Sequence, residues 1–418
     1  MEKEKDLTGK NVVLGLQHTF VMFGATVLVP ILTGLDIGVT LFAAGLGTWL
    51  FHFITGFKVP VFLGSSFAFI PGLVAVGASQ GLPYALGGIV VAGMLYVVVA
   101  IIFKFVSYEN LHKILPPHVT GPMIILIGLI LAPVAIQNAR GDFSKPIVDA
   151  IGVNGAWGIA LFTFAVGVFV KIALPKFGFK FLSNLPVLIS LIAGYLLTIA
   201  LGLVDFTAVG EAAWIGIPKF TLPKFSIEAI SVMVPIAIVT MVEHFGDVLA
   251  IGNVVGKDFI KDPGVHRTLI GDGLATSLSA LIGGPANTTY SENTGAVALT
   301  GVFNPFVMRV AATFAIVLGM IPKFTALIAT IPGPVIGGIS ILLFGMISSI
   351  GIKNMVDARV NLSNPKILII SAVMLVLGLG GASFKFGGLN LSGLGLAAIF
   401  GIVLNLILRV KDATSAEG

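Results

Sequence analysis

Gly283-Gly284-Pro285-Ala286-Asn287-Thr288-Thr289-Tyr290-Ser291-Glu292-Asn293-Thr294-Gly295 is polar and rich in helix breakers, yet almost everything around it is apolar. A second stretch has the same character: Val59-Pro60-Val61-Phe62-Leu63-Gly64-Ser65-Ser66-Phe67-Ala68-Phe69-Ile70-Pro71-Gly72, with prolines at both ends and polar residues between. The rest of the chain decides how the two are read. Of 418 residues, 56% are hydrophobic and 10% charged, where soluble proteins carry about 25% charged residues. The mean hydropathy is +1.06. A membrane-spanning helix needs about 20 mainly apolar residues, and the chain offers many such windows joined by short connections. This predicts an all-α polytopic membrane protein with essentially no soluble domain. Extended backbone at membrane depth survives only where it is buried in protein or lines a cavity. Two broken segments in corresponding positions therefore point to a site near the midplane.

About fourteen apolar segments are expected, at roughly 12–33, 36–56, 60–78, 83–106, 119–138, 154–174 and 183–204, then roughly 229–251, 265–283, 284–300, 304–322, 332–351, 366–384 and 388–409. With this count Arg140, Lys145, Lys219, Lys224, Lys323 and Lys385 fall on one side of the membrane, and the other 18 of the 24 Lys and Arg fall on the opposite side. That bias places both termini in the cytoplasm. The charged start Met1–Asp6 is expected to be retained, because the first apolar run continues past signal-peptide length. The net charge of +5 suits anchoring at the cytoplasmic face better than nucleic acid. Cysteine is absent, which excludes disulfides and thiolate metal sites. Seven is odd, so two halves of seven segments have opposite orientation, the inverted repeat of many secondary transporters. An offset of 226 residues aligns Leu16-Gln17-His18 with Val242-Glu243-His244, and Gly64-Ser65-Ser66-Phe67 with Tyr290-Ser291-Glu292-Asn293. Each broken segment is expected to begin as a short extended stretch and continue as a half helix. The two extended stretches would pair as short antiparallel strands. The half-helix N-termini, near Phe67 and Ser291, would present free N–H donors to a ligand.

A mid-membrane charge costs roughly 2.5–3.5 kcal/mol on the lenient insertion scale, so buried acids are the first functional candidates. Glu243 and Asp247 are four apart on one helical face. Like charges this close in a low dielectric should not both be ionised, a property that a proton-coupled carrier requires. Glu292 stands at the mouth of the second half helix, where it either caps the helix or binds a substrate or proton. Asn287, Thr288, Thr289 and Ser291 offer alternative caps. Asp272 joins a proton relay or bonds a neighbouring serine or bare backbone, and His18 and His244 occupy repeat-related positions. No Lys or Arg lies near the middle of any segment, so an internal salt bridge to these acids is not expected. Phe67, Phe69, Tyr290 and Phe344 are aromatic, and the ring of Phe67 sits at the polar break, where it can stack on a planar ligand. A planar neutral ligand with N–H and C=O edges suits two carboxylates and two backbone N–H groups. A dianion or phosphate does not, since there is no arginine clamp. Pro116, Pro117, Pro122 and Pro133 in the fifth segment, and Pro332 and Pro334 in the twelfth, either permit bending or start helices.

The motifs Gln17-His18-Thr19-Phe20 through Pro30, Leu63-Gly64-Ser65-Ser66-Phe67-Ala68-Phe69-Ile70, Glu243-His244-Phe245-Gly246 and Asn287-Thr288-Thr289-Tyr290-Ser291-Glu292-Asn293 carry a resemblance. The chain resembles the nucleobase/ascorbate transporter family, also called nucleobase–cation symporter family two, and looks most like its bacterial uracil permeases. The family signature of an acid or glutamine, then Asn-x-Gly-x-x-x-x-Thr, reads here from Glu292 to Thr300. The resemblance implies fourteen helices in two inverted repeats, with a core domain over 1–112 and 226–328 and a gate domain over 113–225 and 329–418. It implies that Glu243 holds the N–H edge of the base, that Glu292 supports the opposite side, and that Phe67 and Ser291 donate backbone N–H groups. Ala25 would line the pocket and Phe344 would lie on the gate face, with Tyr290 also beside the substrate. Glu243, Asp247, Glu292, Asp272 and His244 would handle the proton. A homodimer through the gate domain is implied as well. Two positions depart from the uracil permease pattern: aspartate at 247 where a histidine is common, and serine rather than glycine at 291.

The expected function is thus proton-coupled import of a nucleobase, uracil before any other, across the plasma (inner) membrane by an elevator-like movement, with no cofactor and no metal. The rivals are a xanthine or uric acid symporter on the same fold, and an anion carrier or channel, which would place a basic residue near the half-helix ends. An enzyme is not expected, because no nucleophile–base pair or metal-ligand cluster stands at diagnostic spacing.

Overall fold

The computed structural model describes residues 8–104 and 115–408. Lys3, Lys5, Lys113, Arg409 and Lys411, both termini, and the expected boundary at 112–113 lie outside the described residues. The first part of the chain gives α1 (Gly9–Thr33), α2 (Ile37–Ile54), β1 (Leu63–Ser65), α3 (Ile70–Ser79), α4 (Leu82–Phe103), α5 (Pro117–Arg140), α6 (Lys145–Ile172), α7 (Pro186–Ala200) and α8 (Thr207–Glu211). The second gives α9 (Ile227–Val255), α10 (Val265–Leu281), β2 (Asn287–Thr289), α11 (Ser291–Thr300), α12 (Pro305–Gly319), α13 (Pro322–Ala329), α14 (Gly333–Asp357), α15 (Pro365–Leu379), β3 (Ser383–Phe386), β4 (Leu389–Ser392) and α16 (Gly393–Leu408).

Local chemistry sets many of these limits. The Asp36 carboxylate accepts from Val39 N at 2.8 Å and opens α2. Ser226 Oγ accepts from Ala229 N at 3.1 Å and opens α9, both ordinary N-caps. Gly34, at φ 78°, closes α1 in the left-handed region that glycine enters freely. Among the described residues seven helices are long and apolar enough to cross a membrane, or eight if α12 and α13, bent by 83° at their junction, count as one span. Shorter apolar helices cover Phe67–Ser79, Pro186–Ala200, Pro365–Leu379 and Gly393–Leu408. The chain is therefore a multi-pass helical membrane protein, and each apolar window read from the sequence contains a helix.

The helices pack in two groups. In one, α4 lies along α10 and α9, and α2 lies along α12 and α10, with α1 against α12. In the other, α5 lies along α14, α14 along α6, α6 along α7 and α15 along α16. The groups meet where α16 and β4 pack on α9 and where α7 approaches α1. Close helix approach depends on small residues: a Cβ on Gly93 of α4 would stand 2.5 Å from the Gly273 carbonyl oxygen of α10.

The structure differs from the sequence expectation in several places. A second strand pair, β3 with β4, precedes α16 in the register Ser383↔Ser392. The last segment therefore starts as strand rather than helix at 388. Gly387 and Gly388, at φ 55° and 84°, form its two-residue turn, as a hairpin of this length requires. α6 begins at Lys145, nine residues before the expected start near 154, and Gly152 breaks its helical dihedrals at φ 71°, ψ 170°. Pro122 and Pro133 do lie inside α5, but Pro332 and Pro334 only open α14. Pro30 and Pro235, inside α1 and α9, are the further internal prolines.

Candidate functional site

The site is built on the pair β1–β2, antiparallel in the register Leu63↔Thr289, Gly64↔Thr288, Ser65↔Asn287. Bonds from Tyr290 N to Phe62 O (3.1 Å) and from Ser66 N to Ala286 O (2.8 Å) extend it at both ends. Backbone this deep cannot leave its outer edges bare. Thr48 of α2 accepts from Leu63 N through Oγ1 at 2.9 Å, and Thr276 of α10 donates to Asn287 O at 2.8 Å. Thr26 and Tyr290 hold the pair to α1. The Tyr290 hydroxyl donates to Ser65 O at 3.1 Å and accepts from Thr26 Oγ1 at 3.3 Å. The ring of Tyr290 covers Gly64 so closely that a Cβ there would stand 2.3 Å from Cζ.

Helices leave this pair from opposite ends. A short turn of 3-10 helix, Phe67–Phe69, leads into α3, and Tyr290 (φ −106°, ψ 116°) leads into α11. The N-cap residue of α11, Tyr290, makes no capping bond with its side chain. This corrects the capping roles offered for Asn287, Thr288, Thr289 and Ser291, whereas the Glu292 carboxylate accepts from its own backbone N–H. Asn287, Thr288 and Thr289 are in the strand, and Ser291 turns its hydroxyl away. The first N–H groups of α11 have no partner within the helix, and Glu292 stands in its first turn, where the helix dipole favours an anion.

Asp247 of α9 explains the hydroxyls. Its Oδ1 accepts from Ser291 Oγ at 2.6 Å and its Oδ2 accepts from Thr289 Oγ1 at 2.8 Å. Both oxygens are thus committed to fixing the start of α11. Glu243 is one turn earlier on the same helix and half-buried, while Glu292 is exposed to a cavity. Glu243, Asp247 and Glu292 are close enough to act on one another electrostatically. His244 points elsewhere: its Nδ1 lies 3.0 Å from Asp272 Oδ2, and neither side chain has any exposure. His18 is tied to α11 instead, with Asn293 Nδ2 3.3 Å from both its Nδ1 and its carbonyl oxygen.

A cavity of about 130 Å³ opens between the two helix groups. Val21, Ala25, Ser291, Glu292 and Gly295 form one wall; Lys171, Asn184 to Leu188, Leu343 and Met346 form the other. Ala25, Ser291 and Glu292 therefore share one cavity wall. Glu243, Phe67, Tyr290 and Phe344 lie outside this lining. Phe67 and Phe344 meet each other edge to face at 6.1 Å. Tyr290 is 3% exposed and holds the strand pair, so its expected place beside a substrate is corrected to a place in the scaffold. Lys171 is the other correction, because a basic residue was not expected near the half-helix ends. Its sequence signal, one lysine closing an apolar segment, is that of an ordinary membrane anchor. Asn184, in the turn Leu182–Asn184 that touches both α6 and α11, carried no signal at all. The α11 wall of the cavity offers one carboxylate, that of Glu292, beside the start of a helix, and Lys171 and Asn184 supply polar groups from the other wall, so the lining holds both hydrogen-bond acceptors and donors.

The comparisons agree with this architecture. The solved structure of SLC26A9 matches 96% of this chain and 65% of its own, at 12% identity and TM-score 0.67. The transmembrane domain of the cyanobacterial bicarbonate transporter BicA matches 97% of this chain and 98% of its own, at 17% identity and TM-score 0.63. At such identities the likeness is one of fold. The sequence relatives are nearer. Uracil permease of Bacillus caldolyticus is 43% identical over 414 residues, covering 97% of this chain and 94% of its own. The probable uracil permease of Pasteurella multocida (strain Pm70) is 43% identical over 409 residues, covering 98% and 96%. The model described as Permease family (Xan_ur_permease) matches residues 9–385. With nearly its whole length accounted for, the chain belongs to this permease family, the nucleobase/ascorbate transporters, and is uracil-permease-like.

Proposed function

We propose that this protein imports a nucleobase, uracil in the first instance, together with a proton. The observation that carries the reading is the cavity between two helix groups, with Glu292 and the open N-terminus of α11 on one wall and Glu243 one turn from the aspartate that fixes that terminus. Relatives named uracil permease, 43% identical along almost the whole chain, support the choice of base. On this reading α1 to α4 and α9 to α12 form the core domain of an inverted-repeat transporter, and α5 to α7 and α14 to α16 form its gate. Glu243 accepts from the ring N–H edge, Glu292 supports the far side, and the N–H groups of Phe67 and Ser291 donate to carbonyls. The Phe67–Phe344 contact must open to admit the base, after which Phe67 stacks on it.

The proton belongs to the same cluster. Asp247 is occupied by two hydroxyls, which leaves Glu243 as the carrier, with the buried His244–Asp272 pair behind it. Neutralising a carboxylate lowers the cost of moving the loaded site through the barrier as core slides against gate. The test is equilibrium binding of labelled uracil to the Glu243→Gln variant. Gln presents an N–H donor where the protonated acid presents its O–H and C=O, so one hydrogen bond to the base is lost, worth about 0.5–1.5 kcal/mol, and affinity should fall about two- to twelvefold. Parental affinity in that variant would refute the assignment.

A further inference from the structure

The cavity is charged on both walls. Glu292 stands on α11, and Lys171 stands in the last turn of α6 on the opposite wall. Lys171 is near enough to act on Glu292 as a cation without closing an ion pair, and Glu292 acts with like charge on Glu243 and Asp247 of α9. The turn that carries Asn184 contacts both α6 and α11. A Cβ on Gly295 would stand 3.9 Å from Asn184 Oδ1, and Asn184 Nδ2 is buried without a hydrogen-bond partner. The Asn184 side chain thus lies against α11 with a donor left over.

We propose that Lys171 is a positioning residue: from the gate side it draws the Glu292 carboxylate into the cavity, and the pair favours the arrangement of the two helix groups seen here. The inference rests on the transporter reading above, in which those groups move past one another. Lys171 and Glu292 then face each other in one arrangement and separate in the other. An attraction present in one state alone shifts the population toward it by its own free energy.

The chain has no cysteine, so Met346→Cys places a single thiol in the cavity wall. Its labelling rate by a membrane-impermeant maleimide reports how much of the protein holds this cavity open. Lys171→Gln should slow labelling about two- to fivefold, which is roughly 0.4–1 kcal/mol, the range of an exposed ion pair. Lys171→Arg should restore the rate. Glu292→Gln should slow it equally, and the double substitution no further than either one. Unchanged labelling in Lys171→Gln, or additive effects in the double variant, would overturn the proposal. Labelled uracil binding on the same membranes separates the two claims. Absent binding by the otherwise unsubstituted protein refutes the nucleobase reading while leaving the labelling result to be judged alone. Normal binding with unchanged labelling refutes the role of Lys171 only.

Discussion

Gly64 faces the ring of Tyr290 across the strand pair, and Tyr290 is the residue from which α11 starts. A Cβ built on Gly64 would stand 2.3 Å from Tyr290 Cζ, 2.4 Å from Cε2 and 2.7 Å from the hydroxyl oxygen. The ring cannot step aside freely, because its hydroxyl is bonded to Ser65 O at 3.1 Å and to Thr26 Oγ1 at 3.3 Å. Gly64→Ala must therefore move the backbone of β1 or expel the ring. Overpacking costs about 1–3 kcal/mol. Loss of both hydrogen bonds adds about 0.5–1.5 kcal/mol each, so the whole effect should be about 2–6 kcal/mol. Since the strand pair sets the positions of Phe67 and Ser291, uracil binding should weaken with stability. Thermal unfolding of the purified protein, with and without uracil, measures both. The check on cause is Tyr290→Leu, which removes the clashing atoms. The double variant should be more stable than the sum of the single losses by at least about 1 kcal/mol. Parental melting and binding in Gly64→Ala, or strict additivity with Tyr290→Leu, would refute the reasoning.

Asp247→Asn should lower stability and binding together, because an amide cannot accept from both Thr289 and Ser291 through two charged oxygens. A cost of about 1–3 kcal/mol in thermal unfolding is expected. In the connection after α7, the Thr207 hydroxyl and N–H donate to Asp205 at 2.6 and 2.9 Å and hold its carboxyl below the usual range. The bond is then fully present above the unfolded value of about 3.9 and is lost as pH falls through the lower folded value. Hydrogen exchange at the start of α8 should quicken in acid below that point, and Asp205→Asn should remove the pH dependence.

Much of the fold was legible because membrane burial simplifies the code. A chain that is 10% charged leaves few places for the exceptions, and the polar, proline-bounded stretches at 59–72 and 283–290 stand out for that reason. The structure has short strands inside both. What stayed hidden depended on contacts between distant segments. Asp247 looked like half of a like-charged pair with Glu243, since four residues on a helix share a face. Only the approach of α9 to β2 and α11 shows that its oxygens are taken by Thr289 and Ser291. Lys171 looked like an anchor because nothing in its own segment reveals that α6 ends beside α11. Tyr290 lies next to the half-helix start in the chain but points back under Gly64, a direction that adjacency cannot supply. The β3–β4 hairpin did have a local signal, Gly387-Gly388 between alternating apolar residues. It was masked by the hydropathy of the segments on either side.

Uptake of labelled uracil into cells lacking their own permease, at acid and alkaline pH and with and without excess xanthine, tests the central claim most directly. The account predicts saturable uptake that rises in acid and is indifferent to xanthine. No uptake, uptake independent of pH, or uptake suppressed by xanthine would contradict it.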